Sequence, residues 1–534
     1  MAAQTTQQNQ IARSGAKPDA VKPPAQETGE ISQYRWLILF GLITAAIMEV
    51  LDTTIINVAL PQMAGNLGAT FQEVAWVSTG YILSNVVVLP MTAFLTATFG
   101  RRNYLTVSII IFIIASVLCG TAHSLGEIVL WRVVQGAGGA ALLSTAQATI
   151  RQIFPREQQG MVQAIFLLGI IVAPTLGPTL GGWITDNWSW PWLFLINVIP
   201  GLIAALVTPL LLPRQKTNLG ELATLDGLSL VLLAAALAAL MIGLKEAPHR
   251  GWLSPTCISL LLGSAAGIAW FVRRSLRSAH PVVQLATLQR RSFAIGCGLS
   301  FCLGVGLFGS VYLMPVFLAF VRRHDAFEIG TIMLVTGVAQ LIAAPVAALL
   351  ESRLGARWLT GAGFALFAVG LGLSAYQPRT ADFDEMLWPQ ILRGIAIMFC
   401  LLPPTRIALG ALPSSEVADA SGLFNLMRNL GGAIGIALID TILYGRSGIY
   451  AEDFRVRLLA GDLTAATAIG LDPALLANRP PGPPDEAAVA FVRPLVEKAS
   501  LALCVNEAWA MLACVAVVGV LLVPFVRDRP DAQD

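Results

Sequence analysis

The sequence predicts an all-α polytopic membrane protein with about fourteen spanning helices, and three observations carry that prediction. Of its 534 residues, 56% are apolar and only 12% charged, whereas soluble domains carry about 25% charged residues. The apolar residues gather into long uninterrupted segments, and mean hydropathy is +0.71. Prolines and glycines stand deep inside several of those segments, as in Val172-Ala173-Pro174-Thr175-Leu176-Gly177-Pro178-Thr179-Leu180-Gly181-Gly182-Trp183. Backbone groups in lipid must be paired within their own segment. Such a stretch therefore predicts a bent helix whose small residues admit a close neighbour.

Residues 1–35 are polar and rich in Gln, Ala and Pro, the composition of a disordered tail and not of a cleavable signal. Trp36 opens the first apolar run. A spanning helix needs roughly 17–25 residues, and segments of that kind fall at 36–56, 74–95, 104–122, 127–149, 161–184, 192–212 and 227–244. They continue at 253–272, 293–319, 328–350, 357–376, 386–408, 416–443 and 502–526. Lys and Arg in short loops collect on the cytoplasmic side. With the N-terminus inside, the short outer loops hold only Lys245, Arg250, Arg322, Arg323 and Arg379, against nineteen Lys and Arg in the cytoplasmic segments. Both termini are then expected in the cytoplasm. Segment 444–500, with its proline run at 480–484, falls outside, where its Ala/Leu-rich runs suggest short amphipathic helices.

Two halves of the chain align. Pro90 precedes Gly100 as Pro345 precedes Gly355, at an offset of 255. Arg132-x-x-Gln135-Gly136 faces Gln390-x-x-Arg393-Gly394 at an offset of 258, with the polar residues exchanged. Gly160, Gln163, Gly169 and Ala173 face Gly422, Asn425, Gly431 and Gly435 at 262. Two six-helix halves with two helices inserted between them account for this series. Repeated halves of that kind place a substrate site at their interface, near the bilayer midplane.

Charges inside the bilayer each cost about 2.5–3.5 kcal/mol on insertion scales, so they mark function. Glu49, Asp52, Arg132, Arg393, Arg406, Arg428 and Asp440 fall within the spans. Arg406 is expected to reach the inner surface and Asp440 the outer one. Glu49 and Asp52, three residues apart, share a helix face. Two such carboxyls cannot both ionise cheaply away from water, which makes them a candidate proton relay. The alternative is a permanent Asp52–Arg132 structural pair. Arg132, Gln135, Gly136 and Gly139 lie on one face of the fourth span. The Gly169, Ala173, Gly177 and Gly181 stripe of the fifth is expected to seal the outer side against a partner helix, where Pro178 bends it. Tyr81, Gln163, Phe166, Tyr312, Arg393, Asn425 and Arg428 are candidates for the cavity wall. The seven cysteines form no CxxC pair and read as packing residues. No phosphate-binding loop, metal cluster, nucleophile triad or basic nucleic-acid stripe stands out, so neither an enzyme nor a cofactor is expected.

Leu51-Asp52-Thr53-Thr54-Ile55-Ile56-Asn57-Val58-Ala59-Leu60-Pro61, Arg132-x-x-Gln135-Gly136-x-Gly138 and Gly177-Pro178-x-x-Gly181-Gly182 together resemble a known family. It is the fourteen-helix drug:proton antiporter branch of the major facilitator superfamily, the EmrB/QacA type. The resemblance implies the major facilitator fold, with halves at 36–212 and 292–534 and two extra central helices within 213–291. It also implies proton-driven export of amphipathic compounds across the inner membrane. Asp52 and Glu49 would exchange the proton, Arg132 and Gln135 would couple it to helix movement, and Gly136, Gly177, Pro178, Gly181 and Gly182 would pack and gate. In a double-membraned bacterium it implies a periplasmic adaptor and an outer-membrane channel as partners. One departure stands out: the family's loop after the second span reads G-x-x-x-D-R-x-G-R-K. Here Ala97 and Thr98 replace the Asp and first Arg, while Gly100, Arg101 and Arg102 remain, and Gly355 keeps its place in the second copy. An exporter of one endogenous metabolite (a siderophore, fatty acid or peptide) and a non-transporting membrane sensor remain as alternatives.

Overall fold

The computed structural model describes residues 25–215, 217, 226–278, 283, 285–410, 412, 417–477 and 486–526. Among these the chain is helical, with no strand. Thirteen helices are long and apolar enough to cross a membrane. The remaining crossing, the second, is built in three pieces: Trp76–Val88, a 3₁₀ turn Leu89–Met91, and Thr92–Phe99. Pro90 sits in that turn and has no N–H to donate, which is why the helix breaks there. Fourteen crossings result, and large apolar side chains are exposed on them, among them Ile199, Leu206 and Leu210 of the sixth, Leu262 of the eighth and Ile342 and Leu349 of the tenth, as a lipid-facing surface requires.

Several boundaries differ from the sequence expectation, always where a helix outlasts its apolar run. The first helix begins at Ala25, inside the segment expected to be a tail, although its membrane span begins at Tyr34; residues 1–24 lie outside the described residues. The seventh span runs over Gly227–Arg250, so Lys245, expected in a loop, is buried within a helix. The thirteenth continues to Leu459 and the fourteenth starts at Glu486. Most of segment 444–500 is thus an extension of two spanning helices, with short helices Leu463–Ile469 and Pro473–Ala477 between them. Phe454, Leu458, Ala465, Ile469 and Val496 close a small apolar core there. The proline run at 480–484 lies outside the described residues.

The repeat has a direct geometric counterpart. A Cβ at Gly136 would stand 2.3 Å from the carbonyl oxygen of Tyr81, and one at Gly394 would stand 2.5 Å from that of Thr336. Thr336 follows Tyr81 by 255 residues and Gly394 follows Gly136 by 258, so the same helix crossing occurs in both halves. Likewise Gly169 meets Ile43 and Gly431 meets Phe301, fixing the offset between the first and ninth spans at 258. Gly100 and Gly355 occupy the same left-handed conformation, φ 78° and 81°, each opening the next helix, a turn that an L side chain would strain.

The seventh span and the eighth, Pro255–Ser275, form a hairpin beside this core. Asp226 caps the seventh by accepting from Ser229 N–H at 3.2 Å, and Arg274 donates to its two oxygens at 2.6 and 2.8 Å. Arg274 and the cap hold this carboxyl low, at about 2. The clip is therefore complete above the ordinary carboxylate range of about 4 and is lost as pH falls through 2. Replacing Asp226 with Ala is expected to cost about 1 kcal/mol of stability from the lost cap, read as a lower thermal midpoint at neutral pH with no change at the acid end.

Candidate functional site

The first span packs against the fourth, fifth and sixth spans of its own half, and it divides its two acidic residues between different surroundings. Asp52 is fully buried. Its Oδ2 accepts from Arg132 Nη1 at 2.5 Å, and its Oδ1 accepts from Gln135 Nε2 at 3.1 Å and Asn197 Nδ2 at 2.9 Å. Arg132 also donates to Gln135 Oε1 at 2.7 Å and to the Val77 carbonyl at 3.0 Å, and it lies 4.4 Å over the Tyr81 ring. Gln135 in turn donates to Ser116 at 2.7 Å. Spans one, two, three, four and six therefore meet in one polar knot inside the apolar N-terminal half. The i, i+3 spacing of Arg132 and Gln135 puts both on Asp52, and Gly136 one residue on lets the second span come close enough for Tyr81 to lie under the guanidinium.

Glu49, one turn earlier, points elsewhere. Its Oε2 accepts from Leu143 N–H at 2.8 Å, and its carboxyl lies beside Asn85 and faces Arg428. It lines a central cavity of about 270 Å³ between the two halves. Thr53, Asn57, Ser78, Ile170, Pro174, Phe308, Tyr312, Met333, Gln340, Asn425 and Arg428 line the same space. The wall is mostly apolar with a few polar groups, as a small-molecule site requires. The expected shared face of Glu49 and Asp52 thus resolves into one carboxyl at the cavity and one in the knot behind it.

Not every expected wall residue is at the wall. Tyr312 lines the cavity and donates to Asp440 Oδ1 at 2.7 Å. Arg428 lines it and donates to Asn425 Oδ1 at 2.9 Å. Tyr81 reaches it only in part, because its ring sits under Arg132 and its hydroxyl meets Gly139. Phe166 is fully buried in the apolar core of the N-terminal half, and Gln163 does not reach the cavity; both lie one to two turns before Ile170, where the fifth span first lines it. Asp440, expected at the outer surface, is also buried, with Lys245 Nζ 3.5 Å from its Oδ2. Arg406 is mostly exposed, 3.6 Å from Glu351. Sequence reasoning passes over Asn197, Ser116 and Asn85, and it places Lys245 in an outer loop. Asn197 and Ser116 are single polar residues in apolar runs and Asn85 has only Ser84 beside it, and that isolation is the signal that marks them.

Two contacts join the halves at opposite ends. At one end the fifth span meets the tenth, Ala326–Leu354. There a Cβ on Gly182 would stand 2.1 Å from Ala326 O, and one on Gly330 2.4 Å from Pro178 O. Thr179 donates to the Gly330 carbonyl at 2.8 Å, and Asp186 accepts from Phe327 N–H at 2.8 Å. The small-residue stripe itself faces elsewhere: Gly169, Gly177 and Gly181 meet Ile43, Thr54 and Ile55 of the first span. The contact between the halves is made instead by Pro178, Gly182 and Gly330, because Pro178 and Gly182 each stand one residue, about 100°, further round the helix than Gly177 and Gly181. At the other end, Asn429 donates to Asn85 Oδ1 at 3.2 Å, and Leu89 packs with Leu423 and Phe424. Near that end Arg101 donates to Gln152 and its N–H to Gln215 at 3.0 Å, while Arg102 reaches the Leu212 carbonyl at 3.4 Å. The loop lacking its acidic residue is thus held by amide and carbonyl acceptors.

A polytopic helical bundle of two repeated halves around a central cavity, with charged residues buried at its wall, defines a membrane transporter. The chain belongs to the Major Facilitator Superfamily, whose family model matches residues 42–436 and 296–526, and it is a secondary transporter of the EmrB type, not an enzyme. It is 34% identical over 409 residues, 76% of this chain and 80% of the relative, to the protein called "Colistin resistance protein EmrB" of Acinetobacter baumannii. It is 32% identical over 419 residues to "Multidrug export protein EmrB" of Escherichia coli, covering 78% and 81%. To "Fatty acid resistance protein FarB" of Neisseria gonorrhoeae it is 31% identical over 421 residues, covering 78% and 82%. Among solved structures, an inward-facing bacterial homologue of the human lysosomal transporter Spinster shares the fold, with a TM-score of 0.56 at 16% identity over 93% of this chain and 99% of that one.

Proposed function

We propose that this chain exports amphipathic drugs or other toxic compounds across the inner membrane, with both termini in the cytoplasm and protons entering in exchange. The observation that supports the reading most is the separation of Glu49 from Asp52. Glu49 opens on the cavity that would hold the substrate, one helical turn from Asp52. Asp52 is tied directly to Asn197, and through Arg132 and Gln135 to the second and third spans, so that four other spans meet on it. A proton arriving at Glu49 and passed on to Asp52 would release Arg132, and the knot would carry that change into helix movement. A static structural pair needs Asp52 and Arg132 alone and gives no reason for a second buried acid at the cavity.

Gradient-driven dye export from inverted vesicles tests this. Wild-type export should stop when the proton gradient is collapsed; export that persists unchanged removes proton coupling. Replacing Glu49 with Gln keeps the size and an acceptor for Leu143 N–H. It should reduce gradient-driven export by about tenfold or more and flatten its dependence on pH, with dye binding retained. The relatives named for multidrug export favour a broad cargo. The relative named for fatty acid resistance favours a second reading, in which the cargo is a fatty acid. A periplasmic adaptor and an outer-membrane channel would complete the route in a double-membraned cell, and copurification with a crosslinked adaptor tests that part.

A further inference from the structure

Arg393 has the wrong company for a buried cation. Its residue is 2% exposed, yet its Nε and Nη1 find no hydrogen-bond partner among the described residues. Its Nη2 meets only the Met314 sulfur, at 3.6 Å, and its guanidinium lies 4.5 Å over the Trp509 ring. No carboxylate among the described residues pairs with it, although every other deeply buried charged group near the cavity has a polar partner. A buried charge is ordinarily paired and hydrogen-bonded, and Arg393 lines the central cavity.

The repeat explains what is missing. Arg393 follows Gln135 by 258 residues, and Gln135 donates to Asp52. The residue 258 beyond Asp52 is Ser310, which also lines the cavity and spends its hydroxyl on the Leu307 carbonyl at 2.9 Å. Met314, which Arg393 does touch, is one turn beyond Ser310 on the same helix face. The C-terminal half therefore keeps the cation of the polar knot and lacks its acid. Asp440, the buried acid of the thirteenth span, is already engaged by Tyr312 and Lys245.

We propose that the missing carboxylate is supplied by the cargo: the cavity takes amphipathic acids, with the anionic head on Arg393 in the place that Asp52 fills in the other half. The apolar tail lies along Met314, Met333, Ile397 and Met398, which line the same cavity. This inference rests on the export reading above, and it adds the charge class of the cargo and the residue that selects it.

The test is equilibrium binding to the purified full chain, with no gradient present, so a failure of proton coupling leaves the result untouched. The probes are 4-(1-pyrenyl)butyrate and its neutral amide, read by energy transfer from tryptophan. Wild type should bind the acid about tenfold or more tighter than the amide, the worth of a charged hydrogen bond. R393Q should bring the two affinities together, while R393K keeps part of the preference. S310D fills the site from within and should weaken the acid by a similar factor, and by clearly more than it weakens the amide. If R393Q binds neither probe, S310D decides. Equal affinities in wild type, a preference that survives R393Q, or an S310D that binds the acid as wild type does, overturns the proposal, even if proton-driven export stands.

Discussion

Replacing Asp52 with Asn is expected to abolish gradient-driven transport and to destabilise the protein. Asp52 has no exposed surface, and three side chains donate to it. The change leaves the Arg132 guanidinium buried without its counter-charge, which costs about 3–5 kcal/mol. A second substitution separates the two effects. In Asp52→Asn with Arg132→Gln, the unpaired charge is gone, so most of the stability should return. Transport driven by a proton gradient should not, because no carboxyl remains in the knot. Thermal midpoints and vesicle transport of the two single variants and the double variant measure both. If the double variant regained transport along with stability, Asp52 would hold the bundle together without taking part in coupling.

Replacing Gly182 with Val should arrest the cycle at one end of the bundle. A side chain there meets Ala326 O at 2.1 Å and the Phe327 Cα at 2.6 Å. Both are backbone atoms of the tenth span and cannot swing aside. The two halves could then no longer close as they do here, and transport should fall by about a hundredfold or more, in line with overpacking costs of about 1–3 kcal/mol or more at a rigid contact. The arrest should have a direction. A cysteine placed at Thr179, which in the closed contact donates to Gly330, should react faster with a water-soluble thiol reagent when Gly182→Val is also present. Wild-type transport in the Gly182→Val variant would mean that this contact is not part of the cycle. Gly177→Ala is a useful contrast, because its neighbour is the Thr54 hydroxyl of the same half, and it should affect stability before gating.

Much of this architecture is legible in the chain because lipid makes strict demands. Hydropathy marks each crossing, and the two copies of the Arg/Gln–Gly frame mark the repeat that Gly136 and Gly394 display as matching contacts with Tyr81 and Thr336. The Asp52–Arg132 pair is legible for the same reason: charged side chains at similar depth have few other partners. What hydropathy does not encode is which apolar face looks at lipid, at another helix or at the cavity, since all three accept the same residues. On that ground the sequence points Phe166 and Gln163 at the cavity, and Phe166 belongs to the core. It points Lys245 and Asp440 at surfaces because each stands near the end of an apolar run. Their helices continue past that point, and each neutralises the other within the bundle. The division of labour between Glu49 and Asp52 is also hidden, because a three-residue spacing puts two side chains on one face without saying what each one meets.

The most direct measurement is proton release on cargo binding, made on purified protein in weakly buffered solution with a pH-indicating dye. If acids of the first span give up a proton when cargo enters, wild type should release protons in proportion to cargo bound, and Glu49→Gln combined with Asp52→Asn should bind cargo with no release. Equal release from that double variant would contradict the account, because the protons would then come from elsewhere in the molecule.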